Sequence, residues 1–281
     1  MAQAAQDALV SVIVRTKDSA ATVGETFRSI RAQDVPAEVV VVDSGSTDAT
    51  LDLAAGSADV VVRIDPAAFS YGGALNAGAR AASADVHVAL SSHSTLPRTD
   101  WLAVAVGHVR AGALAACGQD GDGDGHVLTG PVARDHAFLV AHPYWGMSNH
   151  ASAWSAAAWR REPFAEDLPA AEDREWSWRV TRDGGSIVFD PALLVPGTHR
   201  RSAGVVPYFN RLVKEGTALG PLRAMPPYAV TDAFRDWLRP DPRTPLVSAA
   251  SRARGRTRLI EVAARWRAGK LNPERADGPR R

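Results

Sequence analysis

Cysteine is almost missing from this chain: Cys117 stands alone among 281 residues. One thiol cannot close an intrachain disulfide or build a cysteine-based zinc site, so a disulfide scaffold and a zinc finger are excluded. The shortage fits a reducing compartment, and the cytoplasm is the expected location. A surplus of charge of one sign is also lacking. The 32 Lys+Arg against 31 Asp+Glu give a formal net charge of +1, so no bulk attraction to nucleic acid is expected. No apolar run approaches the roughly 20 residues that span a bilayer, and residues 1–9 lack the basic-then-apolar layout of a signal peptide. The eight histidines form no H-E-x-x-H pair of the kind that binds zinc on one helix face.

The chain is long enough for one large α/β domain or two small ones, and its hydrophobic content of 46% is that of a globular protein. Its charge is unevenly placed. From Ser251 to the end there are ten Lys/Arg against three Asp/Glu, which leaves a mildly acidic body and a strongly basic tail. The abundance of Ala, Arg, Asp and Gly points to a high-GC bacterial coding sequence.

Hydrophobic periodicity organises the first hundred residues. Short β-rich runs at 10–14, 39–42, 60–64 and 86–90 alternate with helical spacing at 22–33, 48–55 and 73–82. The run at 39–42 is continuously apolar, as a strand buried on both faces of a parallel sheet must be. Strand–helix alternation of this kind implies right-handed crossovers and a parallel sheet. Later signals are weaker: a helix at 101–110, a strand at 113–118, a helix at 170–182, and short strands at 186–189 and 193–195. One or two helices are expected within 200–223 and a last one at 256–267, with proline density rising from Met225.

Ligands of open parallel sheets sit at the carboxyl ends of the strands. Three polar strand ends fall there: Arg15-Thr16-Lys17-Asp18, Asp43-Ser44-Gly45-Ser46 and Ser91-Ser92-His93-Ser94. Helix capping accounts for Asp43 or Ser46 taken singly; three such ends together predict a pocket. Gly72 to Gly78 is neither G-x-G-x-x-G nor a P-loop, since Ala79-Arg80 follows Gly78, which removes the key pattern of a dinucleotide dehydrogenase and of a P-loop kinase. Asp120, Asp122, Asp124 and Gly125 copy the first half of a calcium loop, but its twelfth position is Pro131 where a bidentate glutamate is required. No G-x-S-x-G supports a serine hydrolase. Far downstream, Glu172-Asp173 offers adjacent carboxylates suited to general-base work.

In their order these pieces resemble the family-2 glycosyltransferases of the GT-A fold, and within them a bacterial rhamnosyltransferase-like branch. The resemblance runs from about Val10 to Ser202. It is carried by Val12 to Asp18, Val41 to Asp48, Phe69 to Gly73 with Asn76 and Gly78, Leu90 to Pro97, Asp100-Trp101-Leu102, Gly118-Gln119, Ser148-Asn149, Glu172-Asp173 and Val195 to His199. It implies a Rossmann-like mixed, mainly parallel α/β sheet flanked by helices over residues 8–225, followed by a basic, proline-containing helical extension over 226–281.

By the same resemblance, Thr16, Asp18 and Asp43 line the pocket for the donor's base and ribose. Asp43 accepts from the base N–H, Ser44 and Ser46 hold the loop, and Asn76 packs against the nucleotide. Asp173 is implied as the catalytic base and Glu172 as the neighbour that orients it, with an exchange of those roles open. A UDP- or dTDP-sugar is the implied donor, and a hydroxyl on a glycan or small natural product the acceptor. The sequence departs from the family at Ser92-His93-Ser94, where an Asp-x-Asp usually holds a divalent metal (Mn²⁺ or Mg²⁺). His93 and His199 are the remaining ligand candidates. Two rivals stay open. A non-catalytic nucleotide-sugar-binding member of the fold would explain the missing carboxylates. A nucleotidyltransferase would usually need a glycine-rich first loop, which residues 15–18 do not provide. The basic tail, with Trp266, suggests weak contact with an anionic membrane surface at the inner face.

Overall fold

The protein is described by a computed structural model over residues 10–121, 127–195, 204–223, 231 and 249–271. Strands Val10–Thr16 (β1), Ala37–Asp43 (β2), Val60–Arg63 (β3) and Val86–Ser91 (β4) alternate with helices Val23–Arg31 (α1), Thr50–Ala55 (α2) and Tyr71–Ala81 (α3). β1 pairs in parallel with both β2 and β4, and β2 with β3. Val39 to Val42 are fully buried, as the continuous apolar run predicts.

The second half contains Trp101–Arg110 (α4), Ala115–Gly118 (β5), Val132–Arg134 (β6), His136–Ala141 (α5), Ala151–Ser155 (β7), Ala156–Arg161 (α6), Glu172–Val180 (α7) and Ile187–Asp190 (β8). All eight strands form one sheet of order β3-β2-β1-β4-β7-β5-β8-β6. β7 lies antiparallel between β4 and β5, β6 runs antiparallel to β8, and β5 is parallel to β8. This is the mixed, mainly parallel α/β sheet that the resemblance implies; the alternation alone implies the parallel part, β1 to β4.

Pleating assigns each strand residue to a face. Val12, Val14, Val41 and Val88 join α1 and α4 in one hydrophobic layer, with Phe27, Ile30, Trp101 and Leu102 at its centre. Ile13, Val40, Val42 and Ala89 face the other way, onto Leu75 of α3, Trp159 of α6 and Trp176 of α7. α3 comes so near the sheet that a Cβ on Gly78 would stand 2.4 Å from Ile13 Cγ2. Gly78 is therefore a packing glycine, and only the absence of a side chain permits the approach.

Three departures from the sequence reading have physical causes. The strand expected at 193–195 is absent. Pro191 lacks an N–H for a ladder, Asp190 accepts from Ala192 N at 2.8 Å, and Pro191–Leu193 forms a 3-10 turn. β7 and α6 lie in an alanine-rich stretch, 151–161, that carries little period-2 signal. Ser155 ends the strand and caps the helix directly, accepting from Ala158 N at 3.3 Å. β6 and α5 were likewise not expected; Asp135 starts α5 by accepting from Phe138 N at 2.9 Å.

The chain divides into two compact units. The first carries the sheet and α1–α7. The second contains Val205–Leu222 (α8) and Ala249–Leu271 (α9), together with Gly121–Val127 and Pro169–Ala171. Within it α8 and α9 pack together: Leu219, Ala264 and Ala268 are buried and Tyr208 Oη donates to Glu261 Oε1 at 2.8 Å. Among the described residues no helix is long and apolar enough to cross a membrane. Asp122, Asp124 and Gly125 lie outside the described residues.

Candidate active site

The ends of β1, β2 and β4 meet in register, Thr16 opposite Asp43 and Arg15 opposite Ser91. Polar side chains then tie the three ends together. Asp43, 1% exposed, accepts from Thr16 Oγ1 at 3.0 Å, from Gly45 N and Ser46 N at 3.0 Å each, and from Ser46 Oγ. Burial acts to raise the Asp43 pKa, but the hydrogen bonds from Ser46, Thr16 and Gly45 outweigh it and hold the carboxyl below its ordinary value. Those four bonds match the acceptor capacity of a carboxylate, so Asp43 acts in this structure as the organiser of its own loop. Gly45, at φ +86°, makes the turn that brings both N–H groups onto it.

Around this loop, Ser44 donates to Thr16 O from both its N–H (3.0 Å) and its hydroxyl (3.1 Å). Asp18 is exposed and adopts φ +47°. Its N–H donates to Ser46 Oγ at 2.9 Å, and its carboxylate accepts from Thr47 N at 2.8 Å. Ser92 joins β4 to this group, with its Oγ 2.9 Å from Ser19 Oγ. Thr16, Asp18, Asp43, Ser44, Ser46 and Ser92 therefore form one connected rim.

Asn76 has a different setting. It is buried, and its amide uses all four hydrogen-bond sites on the segment 159–166. Oδ1 accepts from Trp159 Nε1 (2.8 Å) and Phe164 N (3.0 Å); Nδ2 donates to Phe164 O (2.9 Å) and Glu166 Oε1 (2.8 Å). The resemblance expects Asn76 to pack against the nucleotide; in this structure its amide forms an internal pin between α3 and the chain after α6.

Glu172 and Asp173 open α7, where the helix dipole favours carboxylates. Their side chains part. Glu172 is 5% exposed and turns inward, 3.6 Å from Arg15 Nη1 at the end of β1. Asp173 is half-buried and accepts from Asn149 N (2.9 Å) and Arg174 N (2.8 Å). Burial, and then the charge of Asp173, push the Glu172 carboxyl above its ordinary value, against the lowering effect of Arg15 and Asn149. Arg15 thus links the polar strand ends to the downstream carboxylates. It also lies over the Tyr71 ring, 5.6 Å from its centroid.

The sequence model of the family described as Glycosyl transferase family 2 matches residues 11–165. The chain belongs to glycosyl transferase family 2. Among solved structures, this glycosyltransferase resembles the mannosyltransferase PcManGT from Pyrobaculum calidifontis, in complex with GDP-Man and Mn²⁺ (22% identity, TM-score 0.58, 96% of this chain and 76% of that one). It also resembles glucosyl-3-phosphoglycerate synthase from Mycobacterium tuberculosis, in complex with Mn²⁺, UDP and glucosyl-3-phosphoglycerate (21%, 0.56, 80% and 83%). A third similar structure is S. aureus TarS 1–349 with UDP-GlcNAc (17%, 0.55, 94% and 92%). At these identities the likeness establishes the GT-A fold. No curated protein matches the chain.

At the place where this family-2 glycosyltransferase would hold a metal, Ser94 N closes a tight turn onto Ser91 O at 2.9 Å. The His93 ring faces the His150 ring, centroids 5.9 Å apart, and Ser94 Oγ lies 3.2 Å from His150 Nδ1. Among the described residues no three His, Cys, Asp or Glu gather as a ligand set; His199 lies outside them. The donors present are imidazole and hydroxyl. Such donors would suit Mn²⁺ or a later metal better than Mg²⁺. Sequence reasoning missed Arg15, Asn149 and His150 as individual residues. Arg15 and Asn149 lie inside quoted motifs, but only the fold shows which carboxylate each one meets.

Proposed function

We propose that the chain transfers a sugar from a nucleoside-diphosphate sugar to an acceptor hydroxyl, inverting the anomeric carbon. The reading is supported above all by one juxtaposition: an accessible Asp173 beside a buried Glu172, joined through Arg15 to the polar ends of β1, β2 and β4. The donor nucleotide, a UDP- or dTDP-sugar, lies against Thr16, Asp18 and the loop 43–47, with Asp43 holding the shape of that loop. Asp173 takes the proton from the acceptor hydroxyl as its oxygen attacks the anomeric carbon. The bond from that carbon to the diphosphate oxygen breaks, and the diphosphate leaves with the electron pair. Glu172, locked inward, orients the base. The acceptor is a glycan or a small natural product.

His93 and His199 would hold a divalent metal if one is used; when bound, it offsets the charge of the leaving diphosphate. The basic helix α9, with Trp266 exposed, would give weak contact with an anionic membrane surface at the cytoplasmic face.

A thermal-shift screen over nucleoside diphosphates and their sugars identifies the donor, because a ligand of the native state raises apparent stability. Turnover of that donor then falls about 10²–10⁴-fold in Asp173→Asn, with nucleotide affinity kept. Near-normal turnover in folded Asp173→Asn eliminates the base assignment.

A further inference from the structure

Asn149 meets every member of the carboxylate group. It is 3% exposed and lies just ahead of β7. Its backbone N–H donates to Asp173 Oδ2 at 2.9 Å and its Nδ2 to Glu172 Oε1 at 3.2 Å. Its carbonyl accepts from Arg15 Nη2 at 3.2 Å, and its Oδ1 from Ser152 Oγ at 3.4 Å. The Ser152 hydroxyl fixes the amide orientation, so the NH₂ side faces Glu172. Asn76 shows the contrasting case of an asparagine that mainly satisfies backbone and indole groups of a packed segment. Asn149 directs an N–H to each of the two adjacent carboxylates.

We propose that Asn149 is the positioning residue of the reaction centre, fixing Glu172 inward against Arg15 while presenting Asp173 to the acceptor hydroxyl. The inference rests on the reading of Asp173 as the base. Two neighbouring carboxylates in one helical turn repel each other, and either can swing toward an acceptor unless something distinguishes them. Arg15, reaching from β1, pairs with Glu172; Asn149 bonds both carboxylates and so links their positions. Among the charged and titratable neighbours of Asp173, Arg174 donates its N–H to Oδ1 at 2.8 Å, and the Cys117 thiol on β5 feels the Asp173 charge; burial pushes the thiol up to about 12 against a backbone hydrogen bond at Ser148, with the Asp173 charge adding a smaller rise, so it stays neutral.

The test uses the full chain with Asp and Glu side-chain carboxyls labelled with ¹³C. Asn149→Ala keeps the backbone N–H on Asp173 but removes the amide from Glu172. Asn149→Asp sets a third carboxyl against Glu172. Adding Glu172→Gln to Asn149→Asp restores an amide–carboxylate pair with its polarity reversed.

In Asn149→Ala the Glu172 titration midpoint should rise, because a hydrogen bond to its ionised form is lost. UDP affinity, read by calorimetry, should stay at the wild-type value. Turnover of the donor used for Asp173→Asn should fall about 10²-fold, the cost of a misplaced reacting group. The Asn149→Asp/Glu172→Gln double variant should recover turnover relative to Asn149→Asp. An unmoved Glu172 midpoint or undiminished turnover in Asn149→Ala, or a double variant no more active than Asn149→Asp, overturns the proposal. If Asn149→Ala does not fold, Glu172→Gln reads the same link from its other end, and undiminished turnover there is equally fatal. The base assignment fails separately: it depends on Asp173→Asn turnover, which no outcome of these titrations alters.

Discussion

Replacing Asn76 with alanine tests whether that residue serves the nucleotide or the fold. The substitution removes four hydrogen bonds at once. Trp159 Nε1 and Phe164 N then lose their acceptor in a site where Asn76 is 1% exposed and Phe164 is 2% exposed. A buried donor left without a partner costs about 1–3 kcal/mol, so these two alone cost about 2–6 kcal/mol. The bond to Glu166 adds little, because that side chain is about half exposed and also pairs with Arg80. For a body of this size such a loss lowers the melting temperature by about 5–20 °C. The assay is thermal unfolding of wild type and Asn76→Ala, each with and without saturating UDP. The ligand-induced rise in melting temperature should survive in the variant, because the amide has no group left for the nucleotide. Loss of the UDP-induced rise at an unchanged ligand-free melting temperature would refute the structural assignment and return Asn76 to the donor site.

Three further outcomes are expected. Asp43→Asn should lower both thermal stability and UDP affinity, since an amide cannot accept four donors; lost affinity with unchanged stability would instead indicate direct base contact. Because the folded Asp43 pKa is depressed, its stabilising contribution is present above the ordinary value of 3.8 and is lost as pH falls through the lowered one, so acid unfolding of wild type should be steeper there than that of Asp43→Asn. Mn²⁺ should raise UDP affinity more than Mg²⁺ does, and His93→Ala should abolish the difference in calorimetry; an undiminished Mn²⁺ effect removes His93 from the site. Truncation after Pro245 should reduce binding to phosphatidylglycerol vesicles at low salt but not to phosphatidylcholine vesicles, and a full-length protein that ignores both ends the membrane reading.

The first four strands were legible because each is a short apolar run in a βαβ repeat, and burial on both faces leaves little choice of residue. Val39 to Val42 illustrate this: nothing but a central parallel strand suits them. The second half was less legible because its partners are distant. β7 is built from Ala151, Ser152, Ala153, Trp154 and Ser155, a stretch whose small residues are needed between β4 and β5 and which reads locally as helix-forming. The site divides in the same way. Asp43 and its loop are contiguous, so the motif carries the geometry. Arg15 and Asn149 are separated by 134 positions, and no local pattern reports that they bond each other. The role of Asn76 was not legible because an asparagine among helix glycines suits a ligand and a buried pin equally well; the four partners of its amide favour the pin, and the Asn76→Ala comparison decides.

Among the described residues two non-glycine residues take positive φ, Asp18 at +47° beside the polar strand ends and Ala171 at +62° just before Glu172. Aspartate tolerates that conformation, and Asp18 is held in it by its bonds to Ser46 and Thr47. Alanine has no side-chain compensation there and carries a cost of about 1–2 kcal/mol. That cost falls on the residue immediately before Glu172, where the chain turns into α7. The loop after β1 and the start of α7 thus each hold a left-handed residue, and Arg15 connects the two segments by pairing with Glu172 from the end of the strand that also carries Thr16. A change at Arg15 therefore reaches both halves: it removes the charge partner of Glu172, the donor to Asn149 O and the cation over Tyr71 together. The missing carboxylates at 92–94 alter how a diphosphate would be held, but they leave the connection between the polar strand ends and Glu172 intact. On the proposed reading of Asp173 as the base, that connection favours a transferase with a modified diphosphate site over a non-catalytic member of the fold, and turnover of Asp173→Asn decides between them.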